Sequence, residues 1–437
     1  MHVPMLPLVA ALLAIPFVPC IGAPQTPLQA QATAVIEVPN VSLTLDDAYQ
    51  KAQQQNPDLQ RLLAQRAAAQ GEAADAKGLL WNNPELALER TRREVPQAGI
   101  PSETQREWQA GITQTFEMAG QQGYRRKATS LELEALSASI SEARLKLRFD
   151  VERQFVEVLS LQLRVATEQS SLDIIEKTAQ SISKRVNAGE DSRLDGNLAQ
   201  VEAIRARNQI GLVQEQLVQA RAELATILQI TPGTSVEAIG TLETAPPLYT
   251  LEQFLALSAS RPLLNALTLR EQAASARLSL ERAARYPDVT VGVATSREGS
   301  YSARERLVRL TLSVPLPLFK HNRGAIGRAS TELTQAQIER QSTGRDTASD
   351  IRALWQKLRS QAARVNALRS EALPALEENQ RLSVKSLQAG EIGLTQLLLV
   401  NRQVLDGKRD LIDAETELRL TRIALDRAAG WSPGAQR

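Results

Sequence analysis

Trp108-Gln109-Ala110-Gly111-Ile112-Thr113-Gln114-Thr115-Phe116-Glu117-Met118 is the stretch on which the reading of the fold turns. In an extended chain, successive side chains point to opposite faces. One face carries Trp108, Ala110, Ile112, Gln114 and Phe116, and the other carries Gln109, Gly111, Thr113, Thr115 and Glu117. Further along, Val308, Leu310, Leu312, Val314 and Leu316 alternate with Arg309, Thr311 and Ser313, and Val289, Val291 and Val293 alternate with Asp288, Thr290 and Gly292. A weaker partner lies upstream, where Leu86 and Leu88 face away from Glu85, Ala87 and Glu89. Segments of about ten residues with apolar-out, polar-in alternation mark an outer-membrane barrel. A half-buried strand of a soluble sheet alternates in the same way, so the surrounding chain has to decide between them.

Outward from these strands the period changes. Leu133, Leu136, Ile140, Ala143, Leu147, Val151, Phe155, Val158 and Leu161 recur at steps of three and four, which makes a helical stripe that packs on other helices. Neither Pro nor Gly occurs between Tyr124 and Ala188. At about 1.5 Å per residue such a helix spans roughly 100 Å, far more than the ~30 Å of bilayer hydrocarbon. Its many charges place it in water.

The landmarks then recur at a period of about 200–206 residues. Leu43-Thr44-Leu45-Asp46-Asp47 is echoed by Tyr249-Thr250-Leu251-Glu252-Gln253, Asn56-Pro57 by Arg261-Pro262, and Asn83-Pro84 by Tyr286-Pro287. Gln122-Gly123 is echoed by Arg323-Gly324, and Ala188-Gly189-Glu190 by Ala389-Gly390-Glu391. Ordered landmarks at one spacing indicate a duplicated unit. The predicted units are 41–230 and 249–430, joined by a turn-rich linker at 231–248. Each predicts a helix (45–77; 251–284), two strands, a long helix (122–187; 323–388), a break, and a last helix to about Gln229 or 429. The strands of the second unit are predicted near 287–297 and 306–316, and polar loops at 92–106 and 298–305, the latter with Glu298, Gly299 and Ser300 at its start.

Residues 1–36 contain no Lys, Arg, Asp or Glu, and Pro4, Pro7, Pro16 and Pro19 interrupt the apolar run. This predicts a secretory signal peptide at 1–32 rather than a spanning helix, with cleavage after Ala23 or at Ala30-Gln31-Ala32. Cys20 is the one cysteine; Pro19 stands where a lipidation signal needs a small residue. With 51 Lys+Arg against 49 Asp+Glu over 437 residues, the net charge of +2 gives no basic face for nucleic acid. One Cys and two His exclude a zinc cluster and a disulfide framework, so no cofactor and no bound metal are expected. Aromatic residues at 3% suit long solvated helices rather than several α/β cores. No nucleophile–base pair or phosphate loop is present, and no enzymatic activity is expected.

Four strands are too few to close a membrane barrel, since common closed barrels begin at about eight. Open edges are not tolerated in lipid. The chain must therefore assemble, and three copies would supply twelve strands. The joints after the strands carry a resemblance. Gln114-Thr115-Phe116-Glu117-Met118-Ala119-Gly120-Gln121-Gln122-Gly123-Tyr124-Arg125 and Pro315-Leu316-Pro317-Leu318-Phe319-Lys320-His321-Asn322-Arg323-Gly324 resemble the strand-to-helix joints of the TolC family of outer-membrane efflux proteins. They are most similar to its CzcC-type, cobalt-zinc-cadmium branch, departing from it at Gln121-Gln122.

The resemblance implies a mainly α fold with a small β part. Four strands per chain would be completed by trimerisation into a β-barrel of twelve, continued by a long α-helical tunnel across the periplasm. It implies a homotrimer in outer-membrane lipid, served by a periplasmic adaptor and an inner-membrane RND pump, exporting divalent heavy-metal cations. The strand-to-helix joints would be Glu117, Gly120, Gly123, Pro315, Pro317, Asn322 and Gly324. The periplasmic tips that meet the adaptor would be Gly189, Glu190, Asp195, Gly390, Glu391 and Gln396. Some members narrow the closed tip with aspartates after the second turn; here Gln396 and Leu399 stand there, and Asp195 is the nearby charge of the first unit. Trp81 and Trp108 are expected at the periplasmic membrane interface. His321, between Lys320 and Arg323, is a poor cation ligand. The same fold serving drugs or secreted proteins, or a periplasmic coiled-coil adaptor, are the alternative readings.

Overall fold

The computed structural model describes residues 40–431, apart from Pro232 and 300–302. The expected signal peptide at 1–32, with Cys20, and the loop residue Ser300 lie outside the described residues.

Thr44 ends a short strand, β1 (Asn40–Leu43), and caps a helix, α1 (Leu45–Gln55). Its Oγ1 accepts from the Asp47 N–H at 3.3 Å, and the Asp47 carboxylate accepts from the Thr44 N–H at 3.2 Å. Each contact satisfies a donor that a helix start leaves open. The single helix expected to Lys77 is broken at Asn56-Pro57. A residue before proline is driven out of the helical region, and Asn56 is extended with ψ 121°. Asn56 then caps α2 (Pro57–Ala76) by accepting from the Leu59 N–H at 3.0 Å. Two strands follow, β2 (Glu85–Gln97) and β3 (Ile100–Phe116), then α3 (Gln121–Ala188), α4 (Arg193–Ile227) and β4 (Ser235–Ala238).

The next elements are α5 (Leu251–Ala259), α6 (Pro262–Ala283), β5 (Val289–Glu298), β6 (Glu305–Ser313) and α7 (Arg323–Ala367). Thr250 and Gln253 form a second capping box, and Arg261-Pro262 makes the second break. The long helix expected over 323–388 is not continuous. A five-residue π turn, Leu368–Ala372, separates α7 from α8 (Leu373–Gln388). Pro374 has no N–H for the Ser370 carbonyl and its ring crowds it, so the helix widens there. The last helix is α9 (Leu394–Ala429).

The strands form two sheets. In the larger the order is β2-β3-β5-β6, all neighbours antiparallel. The polar loop expected at 92–106 is instead strand almost throughout: Gln97 pairs with Ile100, and only Ala98-Gly99 turns. Gly99 has φ 77°, which an L side chain rarely adopts. The smaller sheet pairs β1 in parallel with β4, inside the stretch expected as linker. Its Val236 is fully buried among Leu43, Leu147, Phe155, Val158 and Leu224.

A second apolar cluster gathers Phe254, Ile351, Leu358, Leu418 and Leu425, with Tyr249 edge-on to Phe254 at 5.8 Å. α3 packs against α2, α4, α6 and α9. Between α3 and α9 the buried Glu168 carboxylate accepts from Nε and Nη2 of the Arg409 guanidinium, at 2.6 and 2.7 Å.

Candidate functional site

The larger sheet has two chemically opposed faces. Register places Leu86, Ile112, Val293 and Leu310 in one row across all four strands. All four are exposed, between 49% and 76%. Val291 and Leu312 lie in the next row, and Val308 in the row on the other side. The opposite face carries Thr113, Gly292 and Thr311 in one row and Ala87, Gly111, Ala294 and Arg309 in another. That face is crowded: a Cβ on Gly292 would stand 2.5 Å from Thr311 Oγ1 and 2.8 Å from Thr113 Cγ2. Small residues on the polar side and open Leu and Val on the other let the sheet curl toward its polar face. Among the described residues β2 and β6 each have a neighbour on one side only. No described helix is long and apolar enough to cross a membrane, so the exposed apolar sheet face is the surface that suits lipid.

At the first joint, Gly120 takes φ 78° and starts α3, and the Gly123 N–H donates to its carbonyl at 3.0 Å. Glu117 and Arg125 form a two-point ion pair at 2.6 and 2.9 Å, with side chains only 10% and 16% exposed. The guanidinium lies 3.9 Å over the Trp81 ring. Gln121 and Gln122 hold this joint together. Gln121 is buried; its Nε2 donates to Asp288 at 3.0 Å and its Oε1 accepts from the Ala119 N–H at 2.8 Å. Gln122 donates to the carbonyls of Ala76 and Gly78 at 2.8 and 3.1 Å, and Arg126 donates to the same two at 3.0 and 2.6 Å. The Ala76 carbonyl ends α2 and has no intrahelical donor, and the Gly78 carbonyl lies just beyond the helix. Asp288, which leads into β5, is pushed above the usual carboxylate range by burial and by the Glu117 charge, against the pull of Arg125 and Gln121.

At the second joint the sheet ends at Ser313, before the prolines. Pro315 and Pro317 sit in an irregular segment whose Leu316, Leu318 and Phe319 are exposed, and the Leu318 N–H donates to the Leu316 carbonyl at 2.9 Å. Asn322 replaces glycine here, with φ 55°, and its Nδ2 donates to the Glu281 carbonyl at 2.9 Å and carboxylate at 2.7 Å. Asn is one of the few residues other than glycine that visits this conformation, and here its side chain is tied to the end of α6. Gly324 lies in the first turn of α7 with only Arg328 within 4 Å of a Cβ.

The two turns lie together. Gly189 (φ 79°) ends α3, and the Glu190 N–H reaches back to the Arg185 carbonyl at 2.9 Å. Arg185 pairs with Glu190 and Asp191, and Asp195 accepts from the Ser192 hydroxyl at 2.6 Å while its N–H donates to it at 3.1 Å. Gly390 (φ 75°) follows α8, and Ser386 Oγ donates to the Glu391 carboxylate at 2.9 Å. Leu394, at the start of α9, is buried against Ile182 of α3 and Ala199 of α4. One small apolar cluster thus joins both turns. Gln396 and Leu399 are exposed.

Trp81, Trp108 and His321 can also be placed. Trp81 is at the joint, but Trp108 is eight residues beyond Phe116, toward the Ala98-Gly99 turn, and does not share its level. His321 lines a shallow cleft with Arg285 and Arg323, two cations. Among the described residues no group of His, Cys, Asp and Glu is arranged to hold a metal ion.

A four-stranded sheet with one lipid-ready face, set on long paired helices, defines an outer-membrane channel subunit. The chain belongs to the outer membrane efflux protein family, which matches residues 48–228 and 256–431, and its place is the outer membrane. It is 25% identical over 378 residues to the cobalt-zinc-cadmium resistance protein CzcC of Cupriavidus metallidurans, covering 85% of this chain and 84% of that one. It is 24% identical over 320 residues to the nickel-cobalt-cadmium resistance protein NccC of Alcaligenes xylosoxydans xylosoxydans, covering 73% and 70%. Among solved structures, the outer membrane protein VceC of Vibrio cholerae matches with a TM-score of 0.76 at 21% identity, over 89% of this chain and 96% of that one. Proteins of this family and fold are channels rather than enzymes.

Proposed function

We propose that this chain is the outer-membrane channel of a tripartite efflux system and that it passes divalent heavy-metal cations outward. The observation that carries the reading is the open sheet. Among the described residues β2 and β6 present unpaired edges beside an exposed Leu/Val face, and lipid does not tolerate such edges. Three copies joined edge to edge give a closed barrel of twelve strands, and their helices continue it as a tunnel. Each chain consists of two units, 41–230 and 249–430, with 231–248 between them. The turns at Gly189, Glu190 and Asp195 and at Gly390, Glu391 and Gln396 form one end of the tunnel, where a periplasmic adaptor docks. An inner-membrane RND pump supplies the energy. The channel performs no chemistry and holds no cofactor or metal.

Metal cargo is supported by the resistance spectra in the names of the two relatives. The test is deletion of the gene and growth on zinc, cobalt, cadmium, nickel, copper and a set of drugs. Reduced tolerance to divalent cations is expected, restored by the wild-type gene. Sensitivity confined to drugs would overturn the metal assignment, and a soluble monomer without bilayer conductance would overturn the channel.

A further inference from the structure

The apolar band of the sheet ends in a belt of arginines. One row across the four strands reads Arg90, Trp108, Arg297, Arg306. It lies on the same face as Leu88 and Val308, two residues beyond each, on the side toward the Ala98-Gly99 turn and away from the helices. One row further out, Arg92 is paired with Arg106. All five arginines are exposed. Like charges directly opposite across strands are destabilising, and here Arg297 faces Arg306 and Arg92 faces Arg106.

The carboxylates at this level do not relieve the repulsion. Glu89, Glu107, Glu298 and Glu305 alternate with these arginines and so lie on the polar face, where Glu107 takes Arg93 at 3.3 Å. On the outward face Arg92 has one loose, well-exposed contact to Glu94 at 3.5 Å. Among the described residues Arg90, Arg106, Arg297 and Arg306 form no ion pair.

We infer that this belt is a binding surface for phosphorylated lipid headgroups of the outer leaflet. The apolar rows below it hold acyl chains, Trp108 sits at the boundary, where amphipathic rings favour the interface, and the arginine forks take phosphate oxygens two at a time. A phosphomonoester between Arg297 and Arg306 turns a repulsive cross-strand pair into a bridged one. The inference rests on the sheet lying in the outer membrane with its Leu/Val face toward lipid.

The test titrates the purified full-length protein with bis-phosphorylated lipid A and with the same lipid A after removal of both phosphates, read by native mass spectrometry. Roughly tenfold tighter binding of the phosphorylated lipid is expected. The Arg90→Gln/Arg297→Gln/Arg306→Gln variant is expected to bring the ratio close to one, the corresponding triple Lys variant to keep most of it, and Arg309→Gln on the polar face to leave it unchanged. Equal binding of the two lipids by the wild-type protein, which depends on no variant folding, would overturn the proposal. So would an undiminished ratio in the triple Gln variant, or displacement of the lipid by excess inorganic phosphate. Vesicle flotation checks the underlying reading: failure to insert overturns both, whereas insertion without phosphate discrimination overturns the belt alone.

Discussion

Replacing Arg125 by Met removes the cation at the centre of the first joint while keeping most of its length. Glu117 loses both hydrogen bonds of a two-point pair, and its side chain is 10% exposed, so water replaces little of the loss. Breaking such a pair from one side costs about 3–5 kcal/mol. The guanidinium also leaves the Trp81 ring, 3.9 Å away, which adds about 0.5–2 kcal/mol. Removing both charges, in Glu117→Gln/Arg125→Met, leaves no orphaned carboxylate and is expected to recover about 2 kcal/mol or more of the single variant's loss.

The single variant also carries a pH signature. Asp288 is already raised by burial and by Glu117, and it loses the Arg125 cation that pulled it down. A carboxyl that holds its proton more tightly folded than unfolded contributes stability that is lost as pH rises. The deficit of Arg125→Met is therefore smallest in acid and grows through the carboxylate range. Urea titration of the detergent-solubilised protein, with heat-modified gel mobility as a second probe, measures both effects. A single variant within about 1 kcal/mol of wild type, or a double variant as damaged as the sum of the singles, would refute the reasoning.

Other positions give independent checks. Burial pushes Asp426 up to about 6 despite its pair with Arg422, so stability should fall by about 2 kcal/mol as pH rises from about 4 to about 6, and Asp426→Asn should remove most of that slope in pH-dependent urea titrations. Gly292→Val pushes a side chain into Thr311 and Thr113 and should cost about 1–3 kcal/mol, lowering the yield of heat-modifiable protein. Gly189→Ala and Gly390→Ala meet open space but demand φ 79° and 75°. Each should cost about 1 kcal/mol in thermal melts.

The sheet's faces were legible because a period of two survives any context in which one face is apolar. The same reading failed at 92–106, where both faces are polar: Arg92, Arg93 and Glu94 pair with Arg106, Gln105 and Thr104 as strand, yet show no apolar alternation. The glycine turns at Gly120, Gly189 and Gly390 were readable because backbone of that hand selects glycine. Asn56-Pro57 was visible as a landmark but not as a break, and Pro374 passed unnoticed inside a helical pattern it only widens. The short pair β1 and β4 was missed because four residues give too few alternations to measure. The joint's bonds from Gln121 to Asp288 and from Gln122 to Ala76 join residues far apart in sequence, which periodicity does not report. The one signal was that these glutamines stand where the family resemblance leads one to expect other residues.

The two sheet edges left open among the described residues also bear on genetics. If β2 of one copy is sealed by β6 of the next, a chain that folds but spoils one edge disables the sound copies it joins. With equal numbers of sound and spoiled chains mixing at random in threes, about one assembly in eight is wholly sound. Edge mutations would then be dominant in a cell expressing both alleles. Mutations at Phe254 or Leu224, fully buried in the cores, act before a chain meets another and would be recessive.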